Sequence, residues 1–112
     1  MSRAYDMYVQ IERFQPKHSK AIKTAAQEIW NFEWLDDSKK LLTGFGESQL
    51  AGGETEEEFA QRLAKAIWAA NGGGYCQVLV RATCLEDLPY EDFLFDEEDW
   101  LRLTQDQPGA TP

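Results

Sequence analysis

The chain has 112 residues and a net charge of −9, a length that corresponds to one domain and suffices for a hydrophobic core without metals or disulfides. Its strongly apolar runs, such as residues 66–70, are far shorter than the roughly 20 residues of a membrane-spanning helix, and the N-terminal residues contain no apolar signal region. These features predict a cytoplasmic protein. Because the excess of carboxylates repels phosphate groups, the composition also predicts that the protein binds neither membranes nor nucleic acids.

The negative charge is concentrated in the C-terminal quarter of the chain. Residues 86–112 contain nine acidic residues and one basic residue, Arg102, whereas residues 1–40 contain seven basic and six acidic residues. Such a field attracts a basic partner. The same distribution is also typical of a surface that only keeps a protein soluble, so both interpretations stay open.

The first two predicted elements are a strand and a helix. Residues 5–13 alternate between apolar and polar side chains, which is typical of a strand with one buried face. The buried side carries Met7, Val9 and Ile11. Pro16 ends the strand and begins a helix over residues 17–30, whose apolar stripe lies opposite a row of lysines and faces the core.

A hairpin of two strands follows. Residues 31–35 predict the second strand, and Asp36-Asp37-Ser38 has the composition of a turn. Residues 41–50 predict the third strand. Gly44 and Gly46 weaken that strand and indicate a β-bulge or a close approach of two backbones, which leaves strand, bulge and loop open for this stretch.

The second helix has the clearest signals in the chain. Thr55 and Glu58 form the pattern of a capping box at its N-terminus, and residues 71–74, Asn-Gly-Gly-Gly, end it. Its predicted core face carries Phe59, Leu63, Ala66, Ile67 and Ala70. Trp68 points away from that face, so it is either covered by residues 93–103 or exposed as an anchor for a partner.

The fourth strand, residues 75–85, carries both cysteines on its buried side. Cys76 and Cys84 are eight residues apart, about 26 Å along a strand, which is too far for a disulfide. Two free thiols are consistent with a reducing cytoplasm.

A short strand and a short helix are predicted at the C-terminus. Phe93 and Phe95 suggest the strand, Asp96 caps the helix, and the helix docks onto the domain. The docking side chains are Trp100, Leu101 and Leu103. Residues 105–112 are polar, contain proline and glycine, and predict a disordered tail after a single domain over residues 1–104.

These elements predict an α+β fold. The order β-α-β-β-α-β corresponds to a two-layer, ferredoxin-like sandwich: an antiparallel sheet with two helices on one face. The C-terminal strand and helix are additions to it.

Signals for catalysis and cofactors are weak. His18 is the only histidine, the cysteines are expected to be buried, and no close set of Cys, His and acidic residues forms a zinc site. Residues 96–99, Asp-Glu-Glu-Asp, lack the alternating ligands and central glycine of a calcium loop and suit a helix cap instead. We therefore expect a protein without catalytic residues, metals or cofactors.

The interpretation that we favour is a protein-interaction module, for example an inhibitor or regulator, that binds a basic, nucleic-acid-binding partner through an acidic C-terminal surface studded with aromatic residues. That predicted surface comprises Glu86, Asp87, Tyr90, Glu91, Asp92, Phe93, Asp96, Glu97, Glu98 and Asp99, with Trp68 as a further anchor.

A second interpretation comes from a resemblance. The element order, the first strand Met7-Tyr8-Val9-Gln10-Ile11 and the third strand with Gly44-Phe45-Gly46 resemble an RNA recognition motif domain. The resemblance implies that Tyr8 and Phe45 stack on bases of single-stranded nucleic acid. Glu47, Thr43 and Ile11-Glu12 depart from the signatures of that family.

A third interpretation is a small-molecule-binding or enzymatic ferredoxin-like domain that forms a homodimer. The open sheet face would then be lined by Tyr8, Gln10, Gln77 and Arg81. Arg81 would bind a carboxylate substrate, or it would form a salt bridge with Glu12.

Overall fold

The computed structural model describes residues 3–50, 52–86 and 90–105. These residues form five strands and three α-helices, with one turn of 3-10 helix at Pro16–His18. The order is β1 (Arg3–Glu12), α1 (Ser19–Ile29), β2 (Glu33–Asp37), β3 (Leu41–Leu50), α2 (Glu56–Ala70), β4 (Gln77–Cys84), β5 (Tyr90–Phe95) and α3 (Glu97–Gln105). The predicted α+β class is confirmed.

The five strands form one antiparallel sheet in the order β2-β3-β1-β4-β5. The central strand β1 alternates as predicted. Its buried side chains are Tyr5, Met7, Val9 and Ile11. They join Val78 and Val80 of β4 in one core with the apolar sides of α1 and α2, so the helices cover this face and leave the other face open.

The predicted turn at residues 36–38 is displaced. Asp36 and Asp37 belong to β2, where they pair with Thr43 and Leu42 after a β-bulge between Trp34 and Asp36. The Thr43 hydroxyl donates to the Asp36 carboxylate at 2.8 Å and accepts from its backbone N–H at 3.1 Å. This local hydrogen bonding holds Asp36 in the sheet.

The capping box of α2 is present in full, because Thr55 accepts from the Glu58 N–H and Glu58 accepts from the Thr55 N–H. The predicted core face is wrong in part. The buried residues of α2 are Phe59, Ala60, Leu63, Ala64, Ile67 and Trp68. The face is rotated because α2 packs against α1 as well as β4 and β5.

Trp68 is 1% exposed. Its ring packs edge-on against Phe95, with 6.1 Å between the ring centroids, and its indole N–H donates to the Cys76 carbonyl at 2.8 Å. The C-terminal stretch therefore covers Trp68, and this residue is excluded from the predicted partner surface.

Gly44 and Gly46 lie in a regular part of β3, and the bulge is on the neighbouring strand. A Cβ atom at Gly46 would lie 2.3 Å from the Asn31 carbonyl oxygen, and one at Gly44 would lie 3.0 Å from the Trp34 ring. Of the two predicted reasons for these glycines, close approach is the one that the structure contains.

The helix α3 begins with a reciprocal pair of hydrogen bonds between Asp96 and Asp99, as the predicted cap requires. Leu103 is buried and Trp100 packs against the core, whereas Leu101 is exposed and does not dock. Gln105 ends this helix, and the rest of the predicted tail, residues 106–112, lies outside the described residues.

Candidate interaction surface

The sheet face that the helices leave uncovered is here called the open face. Because side chains alternate along a strand, the register assigns every second residue to it. Tyr8 is opposite Phe45 on one side and Arg81 on the other, and Gln10 is opposite Thr43 and Leu79. The open face thus brings together all five residues predicted for it: Tyr8, Gln10, Phe45, Gln77 and Arg81.

An apolar stripe crosses the middle of the open face. It consists of Phe45 on β3, Tyr8 on β1, Leu79 on β4 and Leu94 on β5. Phe45 is 36% exposed and Leu94 is 54% exposed. The stripe is oblique, because Leu79 lies opposite Gln10 and not opposite Tyr8. Three strand spacings and an offset of two residues along the strands separate its ends, a distance of about 16 Å. Neighbouring apolar side chains that are partly or fully exposed mark a binding surface more often than scattered ones do.

Carboxylates border this apolar stripe. The register places the following residues on the open face, here called the acidic rim: Asp6, Glu12, Glu33, Asp36 and Glu47. Asp6 and Glu47 lie on one side of the stripe, and Glu12 and Asp36 lie on the other. Among the described residues, Arg81 is the only basic side chain that the strands place on this face.

Arg81 is already paired. Its guanidinium donates two hydrogen bonds to the Asp92 carboxylate, at 2.7 and 3.0 Å, and lies 4.6 Å from the centroid of the Tyr90 ring. The hydrogen bond from Arg81 lowers the pKa of Asp92. The predicted salt bridge to Glu12 is wrong, because Glu12 lies opposite Gln77 and Arg81 lies opposite Asp92. A carboxylate ligand would have to displace Asp92.

The polar side chains of β1 are joined along the strand. The Tyr8 hydroxyl donates to the Gln10 side-chain oxygen at 3.1 Å, and the Gln10 amide donates to the Glu12 carboxylate at 3.0 Å. Burial, followed by the charge of Asp36, raises the pKa of Tyr8. The Tyr8 hydroxyl therefore stays protonated, and its ring is held along the strand next to Gln10.

Asp6 has the least favourable environment on the acidic rim. Its Oδ1 atom is buried without a hydrogen-bond partner among the described residues. Burial, followed by the charge of Glu47, raises the pKa of Asp6. A basic group from a partner would offset the repulsion between Asp6 and Glu47.

We expect Asp6→Asn to raise the free energy of unfolding at pH 7. Because folding raises the pKa of Asp6 above its ordinary value of 3.8, stability falls as the pH rises through that window and the carboxyl group ionises. The gain should be full above the pKa of Asp6 in the folded protein and absent below 3.8. Urea denaturation at pH 7 and pH 3 measures it.

Asp92→Asn is the matched control on the same face, with the opposite sign. Folding lowers the pKa of Asp92, so its ionised form stabilises the fold and its neutral replacement should lower stability at pH 7. A stabilised D92N variant together with a destabilised D6N variant would contradict the charge assignment of the face.

The acidic surface predicted for the C-terminus is not one surface. Tyr90 and Asp92 lie on the open face, whereas Glu91 and Phe93 alternate onto the opposite face. The helix α3 has exposed Glu97 and Glu98 in its first turn, beside the Asp96 and Asp99 that cap it. Glu86 is exposed in a turn, and Asp87 lies outside the described residues.

The described residues provide few groups for catalysis. No three of their His, Cys, Asp and Glu side chains are placed to hold a metal ion. Burial raises the pKa of Cys76 to about 12, so its thiol is not a nucleophile at neutral pH. Both cysteines are free. None of the helices in the described part of the chain has the length and apolar character needed to cross a membrane.

A groove of about 360 Å³ lies apart from the open face, where the end of α1 and the end of β3 meet the start of α2. Arg62 in its wall is paired with Glu54 by two hydrogen bonds. Glu28, which also lines the groove, is exposed and outside this pair, so the described lining of the groove presents a carboxylate but no unpaired basic group.

Two members of the apolar stripe and most of the acidic rim were missed by sequence reasoning. Leu79 and Leu94 alternate with the core residues of β4 and β5, and Asp6 and Glu47 alternate with those of β1 and β3. Period-2 parity, applied to the polar side of every strand, identifies these positions. The pairing between strands that makes them one surface is not visible in any local pattern.

Comparison with protein-family models, with curated proteins and with solved structures finds no match to this chain.

Proposed function

We propose that this protein is a non-enzymatic interaction module that binds a basic partner protein through its open face. The observation that carries the proposal is the apolar stripe with exposed ends at Phe45 and Leu94, whose part on β1 and β3 is bordered on both sides by the carboxylates of the acidic rim. Apolar centres with a polar border are typical of protein interfaces. The charge of the rim selects a partner of positive charge and accelerates its association.

The proposal moves the site from the C-terminal segment to the sheet. Tyr90 and Asp92 remain part of it because β5 places them on the open face. We also assign β1 to β4, with α1 and α2, to a ferredoxin-like unit that β5 and α3 extend. The antiparallel order β2-β3-β1-β4 supports this assignment.

Two other occupants fit the charge less well. Two copies of the open face would bring their carboxylate rims together, which costs free energy through like-charge repulsion. A nucleic acid would bring phosphates to the same carboxylates.

Neutralising the acidic rim should weaken binding to a basic probe about tenfold, because each exposed ion pair contributes about 0.2–1 kcal/mol. The variant combines Asp6→Asn, Glu12→Gln, Glu33→Gln and Glu47→Gln. The probe is an unstructured synthetic peptide of lysine and leucine interrupted by proline. Amide chemical shifts of the labelled protein, recorded at low salt, give both the affinity and the location of binding.

The control variant removes the same four charges elsewhere and combines Glu28→Gln, Glu57→Gln, Glu97→Gln and Glu98→Gln, which lie on the three helices. We expect it to change the affinity less than about twofold, because exposed charges away from the contact act weakly. Equal losses in the two variants would overturn the proposal. So would chemical-shift changes centred on Tyr8 and Phe45 with a single-stranded RNA pool.

A further inference from the structure

The length and direction of the apolar stripe restrict the shape of the partner. The stripe crosses four neighbouring strands obliquely, from Phe45 on β3 to Leu94 on β5, over about 16 Å. That length equals about eleven residues of α-helix at 1.5 Å per residue. A partner strand would pair at an edge of the sheet instead of crossing its face.

The separation of the carboxylates restricts the width of the partner. Asp6 and Glu12 lie on the same strand on either side of the stripe, and six residues of strand separate them by about 20 Å. An α-helix with its side chains is about 10–12 Å wide. The remaining distance on each side is one that the end of a lysine or arginine side chain can span.

The side-chain pattern also distinguishes a helix from an extended segment. The side chains of an extended segment alternate between two opposite directions, so those that do not contact the sheet point to solvent. A helix distributes its side chains around an axis. It can therefore place apolar residues on the stripe and basic residues on both sides of it at once.

We propose that the occupant of the open face is a basic amphipathic helix of a partner protein, which lies across the strands. Its apolar residues contact Phe45, Tyr8, Leu79 and Leu94. Its basic residues on one flank pair with Asp6 and Glu47, and those on the other flank pair with Glu12 and Asp36. This inference rests on the proposed function and adds the conformation and the residue pattern of the partner.

The test uses two synthetic peptides of identical composition, built from leucine, lysine and alanine, each about 18 residues long so that a helix can form. One peptide places its leucines at helical spacing on one face, and the other distributes them around the helix. We expect the amphipathic peptide to bind at least about tenfold more tightly, with amide shift changes on the open face and an increase in its helical circular dichroism.

Variants of the stripe provide the second measurement. The double variant Phe45→Ser and Leu94→Ser removes the two most exposed side chains of the stripe, and its control, Leu35→Ser and Leu101→Ser, removes exposed leucines outside it. The stripe variant should lose most of the preference for the amphipathic peptide, and the control should keep it.

The outcomes separate the two proposals. If both peptides bind the open face with equal affinity, the proposal of a helical partner is wrong and the proposed function stands. If neither peptide causes shift changes on the open face, the proposed function is wrong, and the proposal of a helical partner is wrong as well. An equal loss of preference in the stripe variant and its control would overturn the contact with the stripe.

Discussion

Trp68→Ala should lower the free energy of unfolding by about 3–5 kcal/mol, because it removes a large buried side chain and leaves a cavity that the surroundings fill only in part. Trp68 joins three parts of the core. It lies on α2, packs against Phe95 of β5 and donates a hydrogen bond to the Cys76 carbonyl before β4. Urea denaturation followed by circular dichroism measures the loss.

Two further variants give this prediction its controls. Trp68→Phe keeps an aromatic ring but loses the hydrogen bond to Cys76, so we expect a loss of about 1–2 kcal/mol even where the alanine variant fails to fold. Leu101→Ala, on the exposed side of α3, should change the stability by less than about 0.5 kcal/mol. A Trp68→Phe variant as stable as the parent protein would show that the hydrogen bond to Cys76 and the lost part of the indole ring contribute nothing.

Elements that depend on residues close together in the sequence could be predicted from the sequence. The capping box at Thr55 and Glu58 is a contact over three residues, and it forms as the pattern indicates. The alternation of β4 places Val78 and Val80 in the core because one face of its sheet is covered. In these places local propensity and tertiary packing favour the same structure.

The orientation of α2 needed information that the local pattern lacks. An apolar face centred on Phe59 leaves Trp68 on the far side, and the sequence alone admits both a covered and an exposed tryptophan. The packing of α2 against α1 and against β5 buries a wider arc, which includes Ala60, Ala64 and Trp68. The width of a helix face depends on how many elements contact it.

The surface that we propose differs from the predicted C-terminal surface for a related reason. Carboxylates are densest along the chain in residues 86–112, but alternation sends Glu91 and Asp92 to opposite faces of β5. The acidic rim instead gathers residues of β1, β2 and β3 that are far apart in sequence. Charge density along a chain predicts a charged surface only where the charged side chains of that segment point to the same side.

The turn of the second hairpin shows how side-chain chemistry shifts a boundary. Asp36 and Asp37 have turn propensity, but Thr43 on the neighbouring strand bonds both the backbone and the carboxylate of Asp36. Ser38 then forms the turn, since its hydroxyl accepts from the Lys40 and Leu41 N–H groups. The hydrogen bonds with Thr43 thereby keep Asp36 in β2, on the open face.

Gly46→Ala should lower the free energy of unfolding by about 2–3 kcal/mol, because the added methyl group cannot be placed without moving the backbone. The new Cβ would lie 2.3 Å from the Asn31 carbonyl oxygen, and the Gly46 carbonyl accepts a hydrogen bond of 2.7 Å from the buried Trp30 indole. Both contacts fix β3 against the segment that leads into β2. Chemical denaturation measures the loss.

The same substitution tests the connection between this packing and the open face. Gly46 lies between Phe45 of the apolar stripe and Glu47 of the acidic rim, so a displaced backbone moves one side chain of each. We therefore expect Gly46→Ala to weaken binding of the proline-interrupted peptide of lysine and leucine under conditions in which the variant is still folded. Gly74→Ala is the matched control, because its Cβ would meet the nearest atom at 3.6 Å, an ordinary contact, and should leave stability and binding unchanged. If Gly46→Ala lost stability but kept the affinity of the parent protein, the peptide would not contact this part of β3, and the site would have to lie elsewhere on the sheet.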